Sequence, residues 1–378
     1  MSPDANWFEG IADLIRVGII GLGMAVEPHA KALLDLKDEV EVVACFSPSP
    51  ARREAFAQAY GLPAVDSADA IFADSTIDAI LILTPPASHL ELVQRAAARR
   101  KHVLLEKPLD ITTARAEAVV AVARNANIQL GVVLQNRFRD ASLAVTRLLA
   151  EGRLGTLIAA STRIDNWRPQ SYYDQPGRGT LQRDGGGVLI TQGIHTLDLL
   201  IAFAGLPVEV TGYAATSPIH EMETEDIAAC VMRFDGGAMG TVSATTCAYP
   251  GIPERIELVG TKGTAILVGS HLNAQFNDGT SLTAGAADAG SGAGVQIMGF
   301  GHALHRALIT DFVTAVRSGT SPTVTGDDAL RAHDLIDAML LSAKEGRRVA
   351  VRRRYSGFTA SAAISSTGGS APSGRGLL

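Results

Sequence analysis

The stretch Arg16-Val17-Gly18-Ile19-Ile20-Gly21-Leu22-Gly23-Met24-Ala25-Val26 decides how the chain is read. A short apolar run ends in Gly-x-Gly, and a helix-compatible segment follows over about 27–36. Strand, tight turn and helix start are the parts that a dinucleotide pyrophosphate needs. Gly21 permits the turn and Gly23 lets the backbone approach the phosphates. The helix start, with Met24 and Ala25 leading into it, supplies N–H groups and positive dipole. The third small residue of the fingerprint is absent: position 26 is Val26, with Ala25 one place early. Glycines end many strands for turn geometry alone, so the weight rests on what surrounds them.

The surroundings alternate. Apolar, β-branched runs at 17–20, 40–45, 79–83, 103–105 and 129–133 are separated by helical segments at 27–36, 51–60, 88–99 and 113–125. Strands apolar on both faces and alternating with helices predict an α/β doubly wound parallel sheet covered on both sides. At 378 residues with 47% hydrophobic content, two domains are expected. A net charge of −6 offers no basic footprint for nucleic acid. Cys45, Cys230 and Cys247 have neither a disulfide framework nor metal-ligand spacing, so no metal is expected and a reducing compartment is the simplest reading. The first residues are acidic (Asp4, Glu9, Asp13) where a signal peptide is basic, and no run is apolar enough to span a bilayer. A cytoplasmic protein without a membrane partner is the expectation.

Three strand ends carry chemistry. The second run ends in Ser47, with Arg52 and Arg53 in the next helix, where an NAD-specific site would place a carboxylate for the ribose hydroxyls. A hydroxyl and guanidinium forks suit a 2′-phosphate, which favours NADP over NAD; both arginines read equally as solvated residues of a first helical turn. The next two rim segments are Thr84-Pro85-Pro86-Ala87-Ser88-His89 and Leu105-Glu106-Lys107-Pro108. Ligands of open parallel sheets sit beyond such ends. Thr84, Pro85, Pro86, His89 and Glu106 are therefore placed on the cofactor side, although His89 would also serve as a helix cap. Lys107 reads as a cation beside the nicotinamide and the substrate oxygen, or as half of a surface pair with Glu106.

These motifs, in this order, resemble the Gfo/Idh/MocA family, named for glucose–fructose oxidoreductase and inositol dehydrogenase. The likeness continues through Gln135-Asn136-Arg137-Phe138, Gly185-Gly186-Gly187 and His195-Thr196-Leu197-Asp198, covering Ile15 to about Val351. It implies a Rossmann domain at 14–134 and an α+β domain at 135–353 with a large, mostly antiparallel open sheet. In relatives that sheet often joins subunits, so a homodimer or homotetramer is expected. It also implies Gln135 near the cofactor, Asn136 and Arg137 near the substrate, and His195 as the acid/base. Polyol-oxidising relatives often carry an Asp four residues before that His; this chain has Thr191.

The second domain opens with a helix over 141–151 and a strand over 157–164, leading to Asn166-Trp167-Arg168-Pro169-Gln170-Ser171-Tyr172-Tyr173. Trp167, Arg168 and Tyr173 suit stacking and hydrogen bonding to a polyhydroxylated ligand, and suit a subunit contact as well. The triple glycine at 185–187 predicts close backbone approach. In the helix-like segment after it, Thr191, His195 and Asp198 share a face, which makes them substrate-side candidates. There a neutral imidazole can accept a hydroxyl proton while Asp198 orients the ring; a packed core histidine is the alternative. His29 reads as structural, and His102 as the start of a strand. Beyond residue 205 come strands at 208–213, 227–234, 239–246, 256–259 and 264–268, a mobile surface loop at 277–294, and helices at 302–317 and 327–345. The segment 354–378, rich in Ser, Gly and Ala, reads as a disordered tail.

The residues and the resemblance together predict an NAD(P)-dependent oxidoreductase acting on a secondary alcohol of a sugar, cyclitol or related polyol. Lys107 polarises the oxygen and His195 moves the proton. A cyclic dihydrodiol is an alternative substrate, and a non-catalytic NAD(P)-binding regulator an alternative role. Retention of both Lys107 and His195 favours the enzyme.

Overall fold

Strands that are apolar on both faces are stable only inside a layered sheet. In the computed structural model, which describes residues 14–286 and 301–354, the first such strands do this. They are β1 (Ile15–Ile20), β2 (Val40–Phe46), β3 (Ala64–Val65), β4 (Ala79–Ile82), β5 (His102–Leu105) and β6 (Leu130–Val132). They form one parallel sheet in the order β3-β2-β1-β4-β5-β6. The intervening helices are α1 (Val26–Asp35), α2 (Pro50–Tyr60), α3 (Ala68–Ala73), α4 (His89–Ala98) and α5 (Thr113–Asn125). β3 and α3 have no counterpart in the sequence reading, because two and six residues are too short to show a period. The strand order reverses between β1 and β4, which opens a crevice at their carboxyl ends. Gly21 makes that turn with φ +108, and a β-carbon there would lie 2.6 Å from the Leu83 carbonyl carbon. Only glycine fits.

The second sheet has nine strands. β7 (Leu157–Trp167), β8 (Glu209–Ala215), β9 (Ile227–Arg233), β10 (Met239–Thr245), β11 (Cys247–Gly260), β12 (Gly263–Val268), β13 (His271–Phe276), β14 (Ser281–Ala284) and β15 (Val349–Ala350) run in the order β14-β13-β12-β11-β7-β10-β9-β8-β15. Only the β7–β10 pair is parallel. Its helix-covered face packs against α6 (Asp140–Ala150), α9 (Ile194–Ala204) and α11 (Gly326–Glu345). The other face exposes Tyr213, Val231 and Met239. No described helix is long and apolar enough to cross a membrane.

Four expectations are corrected here. β11 begins nine residues earlier than expected, since Pro250 and Pro253 hide the strand pattern and the ladder absorbs them with register shifts. Part of the expected surface loop is strand: β14 pairs with β13, whose alternation of Leu272, Ala274 and Phe276 with polar residues was a legible signal. Residues 287–300 of that loop lie outside the described residues. The helix α10 (Ala303–Ser318), expected in the second domain, packs on the first. Its Leu308, Ile309, Phe312 and Val313 share a core with Val17, Ile19 and Leu33, so the chain crosses back. An amphipathic period tells that one face is buried but not in which core. Finally, Arg354 forms a bidentate pair with Asp334 and reaches Glu117 at 2.7 Å, so the ordered chain includes it. The rest of the expected tail is outside the described residues.

Candidate active site

The crevice past β1 and β4 widens into a cleft of about 1350 Å³ lined by both domains. On its nucleotide side Gly21, Gly23, Met24 and Ala25 form the floor beneath the start of α1. Above Gly23 there is open space: a β-carbon would meet no atom within 4 Å. A bare glycine facing a cleft beside a helix N-terminus fits a pyrophosphate. Ser47, Arg52, Thr84, Pro85 and Pro86 line the same side. Ser47 is buried at the end of β2 with its Oγ 3.4 Å from the Ser49 amide, and no carboxylate occupies that position. Gln135 and Asn136 line the far wall, and the buried Gln135 Oε1 has no hydrogen-bond partner among the described residues.

Two expected cofactor contacts are corrected. Arg53 does not line the cleft; it turns back to donate to the Ser47 carbonyl at 2.7 Å, which fixes the turn that presents Ser47. His89 is fully buried and away from the cleft. Its Nδ1 lies 3.1 Å from the carbonyls of Pro108 and Leu109, and its Nε2 lies 2.9 Å from the carbonyl of Thr84. It ties the two rim loops together.

Lys107 and His195 meet across the other end of the cleft, one from the end of β5 and one from α9. The helix-like segment after the glycines is broken, not continuous: α8 (Val188–Thr191) stops, Gln192-Gly193 intervene, and α9 restarts. A distant residue, Glu225, holds the start of α8. The Glu225 carboxylate accepts from the Gly187 and Leu189 amides at 3.0 and 3.1 Å, and the Glu225 carbonyl accepts from Val188 at 2.8 Å. A β-carbon on Gly187 would lie 1.8 Å from that carbonyl oxygen, so the expected close backbone approach is present. The break frees the Thr191 carbonyl, and Lys107 Nζ donates to it at 2.7 Å. The Thr191 hydroxyl turns inward to the Gly187 carbonyl.

Glu106 is not the surface partner of the Lys107 ammonium. One oxygen accepts from the Lys107 backbone amide at 2.6 Å and the other lies 3.8 Å from His29 Nε2. Burial alone would raise its carboxyl, but His29 and Lys107 outweigh this and bring it down to about 2. Burial lowers the Lys107 ammonium; Glu106 pulls it up again, while Arg178 and Arg168 push it further down. Burial, then the Lys107 charge, holds His195 well below the ordinary histidine range, so its imidazole is neutral at pH 7. His195 Nδ1 is buried with no hydrogen-bond partner among the described residues, which leaves Nε2 as the nitrogen open to a ligand.

The expected Asp198–His195 contact is absent. Asp198 is buried and takes a bidentate bond from Arg137, with Nε at 2.8 Å and an outer nitrogen at 2.6 Å. Neither residue lines the cleft. This pair joins the linker after β6 to α9 and sets the position of the helix that carries His195. Of the end of β7 and the segment after it, Arg168 lines the cleft and Trp167 and Tyr173 do not. Trp167 packs edge-on to Tyr249, and Tyr173 is buried with its hydroxyl 3.0 Å from Thr246 Oγ1. Tyr172 faces the cleft in place of Tyr173, together with Asn166. The sequence reading also missed Gln192, in the break between α8 and α9, and Arg178, Arg183 and Asp184, which line this end from a segment without periodicity. Behind the loop, His220 bridges the Arg168 carbonyl and Asp226, each at 2.8 Å, with the Cys247 thiol 3.2 Å from Asp226. That polar cluster anchors the loop from beneath.

The family descriptions "Oxidoreductase family, NAD-binding Rossmann fold" and "GFO/IDH/MocA C-terminal domain" match residues 15–134 and 142–266. The inositol 2-dehydrogenase of Rhizobium meliloti is 28% identical over 345 residues, 89% of this chain and 99% of that protein. The NAD+-dependent scyllo-inositol 2-dehydrogenase of Bacillus subtilis is 27% identical over 91% of this chain and 99% of its own length. Among solved structures, the WlbA dehydrogenase of Bordetella pertussis in complex with NADH and UDP-GlcNAcA is similar. Its TM-score is 0.77 at 26% identity, over 90% of this chain and 100% of that one.

Proposed function

The chain belongs to the Gfo/Idh/MocA family of oxidoreductases, and on that premise we propose that it is a nicotinamide-dependent dehydrogenase of a sugar, cyclitol or related polyol, acting on a secondary alcohol. The observation that carries this reading is the meeting of Lys107 and His195, from different domains, at one end of a cleft whose other end fits a dinucleotide. A bound nicotinamide dinucleotide supplies the hydride acceptor or donor. The protein supplies the rest. Lys107, fixed on the Thr191 carbonyl, holds the substrate oxygen and stabilises negative charge on it. His195 Nε2, neutral at pH 7, takes the hydroxyl proton in oxidation and returns it in reduction. Gln135 and Asn136, on the wall between the two ends, orient the ligands.

Ser47 and Arg52 support NADP over NAD, because no carboxylate stands at the end of β2 to bind both ribose hydroxyls. A row of exposed apolar side chains on the open face of the nine-stranded sheet (Tyr213, Ile227, Val231, Met239) supports assembly as a homodimer or homotetramer through that face. The free cysteines agree with a cytoplasmic setting. Titration with NADPH and NADH, read by nicotinamide fluorescence, followed by assay of neutral and acidic polyols with the tighter cofactor, tests the reading. We expect NADPH to bind more tightly and at least one polyol to reduce NADP. Tighter NADH binding removes the cofactor preference, and binding of neither removes the dehydrogenase.

A further inference from the structure

Beneath the segment that follows β7, the connection from β8 to β9 and the first residue of β11 bring Ser217, His220, Asp226 and Cys247 together. Their polar atoms converge on a single carboxylate oxygen. Asp226 Oδ2 lies 2.8 Å from His220 Nδ1, 2.7 Å from Ser217 Oγ and 3.2 Å from Cys247 Sγ. The sulfur in turn lies 3.8 Å from Nδ1 and 3.2 Å from Ser217 Oγ. One carboxylate oxygen offers two lone pairs, so three proton donors crowd it. The side chains of His220 and Asp226 are fully buried, while Cys247 is only partly buried and leaves the cluster a route to solvent. None of the four lines the cleft. Among the described residues, His220, Asp226 and Cys247 are the one group of histidine, cysteine and carboxylate side chains whose donor atoms converge in this way.

The imidazole is oriented as a ligand. Its Nε2 lies 2.8 Å from the Arg168 carbonyl, which can only accept, so Nε2 carries a hydrogen and Nδ1 is turned to Asp226. Metal-bound imidazoles are held in the same way, with the far nitrogen donating to a backbone carbonyl. Nitrogen, oxygen and sulfur at these separations leave a point about 2 Å from each, close to the bond lengths zinc makes to all three. We propose that His220 Nδ1, Asp226 Oδ2 and Cys247 Sγ bind a divalent cation of the zinc type, with Ser217 Oγ beside them as a further oxygen. Binding releases the thiol proton and the proton between Nδ1 and the carboxylate, so one cation replaces two protons at the crowded oxygen. A thiolate and a carboxylate neutralise its charge in the buried setting. The thiolate selects zinc over magnesium or calcium. The ligands come from separate strand connections with no motif spacing, which is why the sequence shows no metal site. The role is structural. Through the Arg168 carbonyl and the Tyr173 ring, 4.7 Å from the imidazole, the cation fixes the segment that presents Arg168 and Tyr172 to the cleft.

The test uses the full chain, untagged and stripped with a chelator, with Co2+ as the spectroscopic probe and Zn2+ as its competitor. The expected result is one cobalt per chain, giving a thiolate-to-cobalt charge-transfer band that equimolar zinc removes. Saturating zinc should raise the melting temperature by about 3–5 °C, and magnesium or calcium should leave it unmoved. Cys247→Ser abolishes the charge-transfer band, and Cys247→Ser and His220→Gln each weaken zinc binding about 100-fold. Absence of the band together with an unmoved melting temperature in the wild type would overturn the proposal and leave an imidazolium–carboxylate pair beside a thiol. A band that persists in Cys247→Ser would put the cation at another site and overturn it as well. The wild-type spectrum and melting temperature need no substitution, so a variant that fails to fold does not shelter the proposal.

Discussion

The two ends of the cleft are built differently. The nucleotide end is made of backbone and short side chains from contiguous turns: Gly21 to Ala25, Ser47 with Arg52, and Thr84 to Pro86. The carbinol end is made of long polar side chains from four distant segments: Lys107 after β5, Arg168 after β7, Arg178 to Asp184 before the glycines, and His195 in α9. A pyrophosphate needs amides and room, which a local turn provides. Moving a proton and holding a particular oxygen needs charged groups placed against each other, and only tertiary packing does that.

The widest separation of the two ends comes from the catalytic side. Lys107→Ala and His195→Ala should each lower kcat by about 10²–10⁴-fold, while the fluorescence-determined affinity for NADPH changes only a few-fold. Near-wild-type turnover in both variants would mean that the carbinol end lies elsewhere. On the nucleotide side, Ser47→Asp should swing the NADPH-to-NADH affinity ratio by roughly 100-fold toward NADH, since a carboxylate repels a 2′-phosphate. An unmoved ratio would take Ser47 out of the cofactor site.

Two glycine substitutions sharpen the contrast. Gly23→Ala projects into open cleft, so cofactor affinity should drop about tenfold with an unaltered melting temperature. Gly187→Ala drives a methyl into the Glu225 carbonyl and should cost about 2–3 kcal/mol of stability, seen in chemical denaturation. The opposite pattern, Gly23 acting on stability and Gly187 on cofactor affinity, would reverse their assignments.

The smallest effect is on pH dependence. Oxidation requires neutral His195 and charged Lys107. Both sit below their ordinary values, so both limbs of the kcat/KM profile move to lower pH. The acid limb should fall well below 6.5 and the alkaline limb should begin before 10.5. An acid limb at 6.5 or above would show that His195 is better solvated than its burial indicates.

The nucleotide end was the more legible in the sequence, because its information is local. Gly-x-Gly after an apolar run, a hydroxyl in place of a carboxylate, and Thr-Pro-Pro at a strand end are each readable within a few residues. Even there, Arg53 and His89 read as cofactor contacts by position, yet they bond to carbonyls of the loops beside them. At the other end, Lys107 and His195 stood out by position and resemblance, but their surroundings did not. Tyr172 and Tyr173 are adjacent, and only the packing of Tyr173 against Thr246 and His220 decides that Tyr172 faces the cleft.

By itself, then, the sequence determined the alternation of strands and helices, the parallel sheet, the pyrophosphate turn and the two residues proposed for chemistry. Periodicity and turn chemistry are properties of neighbours along the chain. The tertiary structure alone decided the rest. It gave Asp198 to Arg137 and put α10 in the first domain's core. It also broke the helix at Gln192-Gly193, so that Thr191 could receive Lys107. Each of these turns on which distant partner offers the better burial or charge match, and no local pattern carries that information.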